Sequence, residues 1–251
     1  ISRGGEEMLN YLIADLNRMS RKKSLIYTLA TFLGLFLTMV FIIYTPNLDG
    51  GGYLSKTDLF LGFYPLVVGI PIFLSIYSDD FKSKAMQIAI GYGIDRNKII
   101  LTKAIETVIL SVISGVLLGV IVTVVPKILG LTLTHEQFLE LTLGALTGIL
   151  KIIVYVGIST ILVYHYQNAM YGTISFVLLG SGTVGMILNL ILSQQFVVDL
   201  VGNLTEHMFT TLLAMEKLNY MTKGSFNITS IIEIILYMVI PVIVSMIIFR
   251  K

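Results

Sequence analysis

With 251 residues, 55% of them hydrophobic and only 13% charged, the chain departs far from a soluble domain, where about 25% of residues carry charge. A mean hydropathy of +0.88 points the same way, and spans of roughly 20 residues each use up the length, which excludes a large soluble domain beside them. A net charge of +2 is too small to argue for nucleic acid, and the lack of cysteine excludes disulfides, thiolate metal sites and cysteine nucleophiles.

In chain order, residues 1–7 read as an added leader ahead of a natural start at Met8 and are set aside. In 8–23, Leu9, Leu12, Ile13, Leu16 and Met19 recur at helical spacing, while Asn10, Asp15, Asn17, Arg18 and Arg21 fill much of the rest. This predicts an amphipathic helix in the membrane interface, its basic end drawn to anionic lipid. A plain extension of the first span is the alternative.

Six spans are predicted: 25–44, 59–77, 104–125, 141–164, 170–193 and 228–249. The second contains Pro65 and Pro71, tolerated where neighbouring helices or water satisfy the freed carbonyls, and the third ends at Pro126. Lys and Arg gather on one side, at Arg3, Arg18, Arg21–Lys23, Lys82, Lys84, Arg96, Lys98, Lys103, Arg250 and Lys251. The other side has only Lys56, Lys127, Lys217 and Lys223. That asymmetry places both termini in the cytoplasm. Gly115 with Gly119, Gly144 with Gly148, and the run Gly180, Ser181, Gly182, Gly185 supply small residues for close helix approach. Bundle packing and a translocation path both fit them.

Two segments outside the spans carry further pattern. In the cytoplasmic loop 78–103, Asp79 and Asp80 suit a helix start, Gly91 and Gly93 a stop, and Asp95 a cap for the third span. Between them Phe81, Ala85, Ile88 and Ala89 form an apolar stripe beside Lys82 and Lys84, which predicts a short helix that needs a partner surface. On the outer side, 194–227 holds two apolar pieces too short to cross, around 196–201 and 207–215, separated by Gly202 and Asn203. They predict a helical hairpin dipping into the outer leaflet.

Ionisable groups inside spans are functional candidates by default. Lys151, near the middle of the fourth span, is the strongest; it can pair structurally or meet an anionic substrate group. Glu106 in the third span and Glu233 in the sixth lie at other depths, as substrate-path or gating candidates of lower weight. Ser159 and His165 stand about 120° apart on their helix with no third group, and His135 and His207 lack partners at metal-ligand spacing. No catalytic residue and no metal site are therefore assigned.

An interfacial helix, six spans with both ends inside, a helical loop between spans two and three, and an outer hairpin before the last span resemble the permease subunits of ABC-2-type exporters, which have the type V fold. The stretch K-A-M-Q-I-A-I-G-Y-G-I-D-R-N-K-I-I-L-T-K, residues 84–103, is similar to that family's glycine turn followed by Arg and Lys ahead of the third span. The resemblance implies one permease domain over 1–251, an all-α membrane protein. It makes 81–91 the coupling helix, with Phe81, Lys82, Lys84, Ala85, Ile88, Ala89 and Arg96 contacting the ATPase. It implies separate ABC ATPase subunits binding ATP and Mg, a second permease copy or paralogue, and a bacterial cell membrane. No cofactor is implied in this chain, which fits the lack of a G-x-x-x-x-G-K-[ST] phosphate loop. The expected cargo is a hydrophobic or amphiphilic molecule such as an antimicrobial peptide, drug or lipid. An uncoupled membrane scaffold or scramblase-like protein is the competing reading.

Overall fold

Apolar runs with so few interruptions leave the backbone one way to satisfy its own polar groups in lipid, the helix. The computed structural model describes residues 3–250, with the side chains of 3–7, Lys82 and Ser83 outside the description; the expected leader, the Lys82 contact and Lys251 fall there. Among the described residues every regular element is helical. In order they are α1 (Arg3–Ser20), α2 (Lys23–Ile43), α3 (Gly50–Val67), α4 (Gly69–Phe73), α5 (Asp79–Ser83), α6 (Ala85–Gly91), α7 (Arg96–Ile128), α8 (His135–Tyr166), α9 (Ala169–Gly180), α10 (Thr183–Leu192), α11 (Gln195–Val201), α12 (Phe209–Lys223) and α13 (Ile228–Arg250). Among the described residues five helices are long and apolar enough to cross a membrane, counting Gly50–Phe81 as one, and six if the bent pair α9–α10 counts as one span.

The second span begins earlier than its hydropathy announced. Asp49 accepts from the Gly52 backbone N–H at 2.8 Å, starting a helix within the glycine run. Gly50 is held there by crowding: a side-chain carbon would sit 2.8 Å from the Thr132 carbonyl. The axis then continues through α3, α4, a π turn (Leu74–Ser78) and α5, in all Gly50–Phe81. Pro71 lacks the N–H that would bond the Val67 carbonyl, so the α3–α4 break follows from the sequence.

The third span is likewise longer than read, with Pro126 inside α7 rather than ending it; 33 residues make a rod of about 50 Å. Helix α8 is the hub, starting in a capping box between Thr134 and Gln137. Gly115 and Gly119 of α7 face Ile149 and Ala145 of α8, an antiparallel register. Gly144 and Gly148 of α8 face Leu61 and Tyr64 of α3, a parallel one. Both small-residue pairs therefore serve packing. Tyr53 and Tyr64 of α3 add hydrogen bonds to the Val122 carbonyl (2.7 Å) and the Ser114 hydroxyl (2.8 Å) of α7.

The fifth span is not the straight helix expected over 170–193. It breaks at Ser181–Gly182, where Gly182 takes φ +78° and α10 leaves α9 at 63°. Helices α2 and α13 bury only narrow stripes, Phe32, Phe36 and Val40 in one and Ile234, Pro241 and Ser245 in the other. Beyond these stripes Ile26, Leu35, Phe41 and Ile42 of α2 and Ile232, Ile235, Ile240 and Ile247 of α13 are exposed, an apolar surface far beyond that of a water-soluble monomer.

Candidate functional site

The end of the bundle that carries 79–95 is built around a buried cluster of ions. Asp15 and Arg18 sit three residues apart on one face of α1, Lys103 and Glu106 three apart on α7, and Asp80 in the first turn of α5. The Lys103 ammonium donates to Asp15, meets Asp80 at 2.5 Å and Glu106 at 3.2 Å. Arg18 pairs with Asp15 at 2.5 Å and donates to Asp80. Beside them Lys22 donates to Asp79 at 2.7 Å and to the Ser75 carbonyl at 2.5 Å, an oxygen within the π turn. Three helices are thus tied by charges that cannot leave singly, since removing one partner strands the others in a low-dielectric site. Burial alone would raise the Asp15 carboxyl, but Lys103 and Arg18 beside it hold it below the usual carboxylate range. Burial pushes the Tyr11 hydroxyl, on the same helix, up to about 12.

This cluster corrects several sequence expectations. Asp15 is not on the solvated face of α1, and Lys103 is not a loop cation: both are buried. Asp80 does lie in the first turn of a helix, as expected, but it also makes ion pairs to α1 and α7. On the predicted apolar face of α1, Leu9 and Ile13 are exposed while Met19 is fully buried.

The loop helix expected over 81–91 is two helices. Lys84 takes the left-handed conformation (φ 57°, ψ 23°), ending α5 and starting α6. The apolar stripe divides accordingly. Phe81 packs against the core, Met86 and Ala89 are buried, and Ala85 is half-buried. Ile88 is 56% exposed and Tyr92 85%, next to exposed Lys84 and Gln87. Gly93 at φ +88° turns the chain, and Asp95 caps α7 through the Asn97 N–H at 2.7 Å, as the sequence predicted. Arg96 donates to the Phe249 carbonyl at 2.9 Å and lies over that ring, while Arg250 reaches Asn97. The end of α13 is therefore stitched to the start of α7, and Arg96 is turned to this internal contact.

The three span-embedded candidates go to three places. Glu106 belongs to the ion cluster. Glu233 pairs with His207 at 2.9 Å, and the Tyr237 hydroxyl donates to the His207 carbonyl, pinning the turn before α12 to α13. The hydrogen bond from His207 to Glu233 holds its imidazole above the usual histidine value. Lys151 lines a cavity of about 200 Å³ between α3, α8 and α12, with Asp58, Thr147, Thr210 and Lys217. Sequence reasoning missed Asp58, Glu140 and Lys217, which meet at 3.3 Å.

Helix α12, the second piece of the predicted outer hairpin, runs along α8 from Tyr155, whose ring meets Phe209 at 6.0 Å, to Glu140, which meets Lys217. Buried Glu216 accepts from the Asn227 N–H at 2.8 Å and so fixes the turn into α13. No protein-family model matches the chain, and comparison with curated proteins gives no match either.

Proposed function

We propose that the chain is the transmembrane permease of an ATP-driven exporter of the ABC-2 type, moving a hydrophobic or amphiphilic molecule with ATP hydrolysed by a separate subunit. The observation that carries this is the loop end of the bundle. A short helix, α6, presents Ile88 and Tyr92 outward, while the adjoining α5 is joined by Asp80 to α1 and α7. An apolar contact that protrudes from a charge-locked end needs a partner, and a displacement of α5 there is passed on to two further helices. ATP binding closes the partner subunits, α5–α6 moves with them, and a path between this permease and a second one opens to the outside. A ligand shifts such an equilibrium only through its differential affinity for the two states. In this reading α1 lies in the cytoplasmic interface, both termini face the cytosol, and α11 and α12 form the outer hairpin.

The test is purification of the tagged chain from its native membrane, with ATP hydrolysis measured on the eluted assembly. An ABC ATPase should co-elute, and Ile88→Asp or Tyr92→Asp should release it while the chain stays monodisperse. Phe81 and Ala85 are poor positions for this test because they pack inward. A chain that elutes without an ATP-hydrolysing partner favours the uncoupled scaffold or scramblase-like reading.

A further inference from the structure

Lys151 is the one residue of its cavity whose charge the protein leaves unanswered. Among the described residues it makes no ion pair and no hydrogen bond; it senses Asp58 and Lys217 across the cavity without touching either. Lys217 is already matched, by Asp58 and Glu140. An ammonium near the middle of a span is costly unless water or an anion meets it. Gly62 and Thr147 border the space, and a side-chain carbon on Gly62 would touch nothing within 4 Å. The room is therefore not closed by packing.

A second cavity of about 250 Å³ lies against the other side of α12 and shares Thr147, Leu213 and Lys217 with the first. Leu146, Leu150, Ile231 and Ile235 line it, giving it an almost wholly apolar wall. A polar chamber with a spare cation beside an apolar one suits a molecule with an anionic head and a hydrocarbon tail.

We infer that these paired cavities bind an amphiphile bearing a carboxylate or phosphate, its head on the Lys151 ammonium and its chain along α12 toward Phe226. Lys217 borders both chambers but is already matched by Asp58 and Glu140, which leaves Lys151 as the anchor. This rests on the exporter reading only for calling the ligand cargo; binding itself is a property of this chain.

The chain has no tryptophan, so Phe226→Trp supplies a single indole in the apolar chamber, excited at longer wavelength than the 13 tyrosines. In phosphatidylcholine nanodiscs, the full-length variant is titrated with 11-bromoundecanoate and with 11-bromoundecyltrimethylammonium. The acid should quench saturably and the cation should not. Adding Lys151→Gln should weaken the acid about tenfold, the value of one hydrogen bond to a charged group, while Lys151→Arg retains binding. Nanodiscs containing tail-brominated phosphatidylglycerol separate the sources. Lys151-dependent quenching there assigns the head to a bilayer phospholipid, and quenching by the acid alone assigns it to a free amphiphile. Equal quenching by acid and cation, or an acid titration unchanged by Lys151→Gln, overturns the inference. Because no ATPase is present, failure here leaves the co-elution result standing, and the reverse also holds.

Discussion

At the loop end, Lys103 and Arg18 are enclosed by Asp15, Asp80 and Glu106, and both of these cations are matched by carboxylates. Around Lys151, midway along α8, a cation of the same type faces an open cavity and no ion pair. Both are lysines in long apolar helices, and the difference lies in what the neighbouring elements bring. Helices α1 and α5 insert acids at the level of Lys103, whereas α3 and α12 commit Asp58 and Lys217 to each other before either reaches Lys151. Charge closed on itself holds helices together; charge left open is available to something that comes and goes.

The sharpest way to break that contrast is to remove each lysine. Lys103→Met leaves three carboxylates with only Arg18 to meet them and should cost about 3–5 kcal/mol, seen as early aggregation on heating in detergent. Lys151→Met removes no ion pair or hydrogen bond found among the described residues and should leave thermal stability near that of the wild type. Equal losses would mean that the two sites do the same job.

Glycine substitutions extend the contrast between closed and open sites to packing, at the α7–α8 seam and at the Lys151 cavity. At Gly115 a side-chain carbon would stand 2.1 Å from Ile149 Cγ1, so Gly115→Ala should cost about 1–3 kcal/mol through forced repacking. At Gly62, which borders the Lys151 cavity, the same change meets nothing and should be neutral or slightly stabilising. Thermal denaturation followed by size-exclusion chromatography measures both.

Acid probes the closed cluster alone. The Asp15 carboxyl lies below its unfolded value of about 3.9, so its contribution is full above that value and is lost as the pH falls through the depressed folded one. Asp15→Asn should flatten that part of the acid stability curve. The smallest effect is expected at His207, which is raised by Glu233 with Glu206 nearby. Its contribution is complete below the ordinary histidine value of about 6.5 and fades as the pH rises through the higher folded one. Amide-exchange protection factors in 204–212, taken relative to the intrinsic rate at each pH, should be higher at pH 5.5 than at pH 8.5, and Glu233→Gln should abolish that difference.

Hydropathy made the spans legible because the requirement for a long apolar helix is local. It could not report the bend at Ser181–Gly182, since an apolar run reads alike whether its axis is straight or turned by 63°. Lys151 stood out because a charge inside a span is rare wherever its partners are. The ion cluster was hidden for the opposite reason. Asp15 suits the polar side of an amphipathic helix, Asp80 a helix start and Lys103 a basic loop, so each has a sufficient local explanation. Only the packing of α1 and α5 on α7 brings them together. Lys84 gave no signal either, because nothing about lysine favours the left-handed conformation that divides α5 from α6.

Everything proposed about energy coupling requires the α5–α6 end to face the cytosol. The chain has no cysteine, so Tyr92→Cys creates a single thiol at a residue 85% exposed. Its labelling by a membrane-impermeant maleimide should be absent in intact cells and strong in inverted membrane vesicles washed free of peripheral subunits. Labelling from outside intact cells would place this end in the external medium and contradict the account.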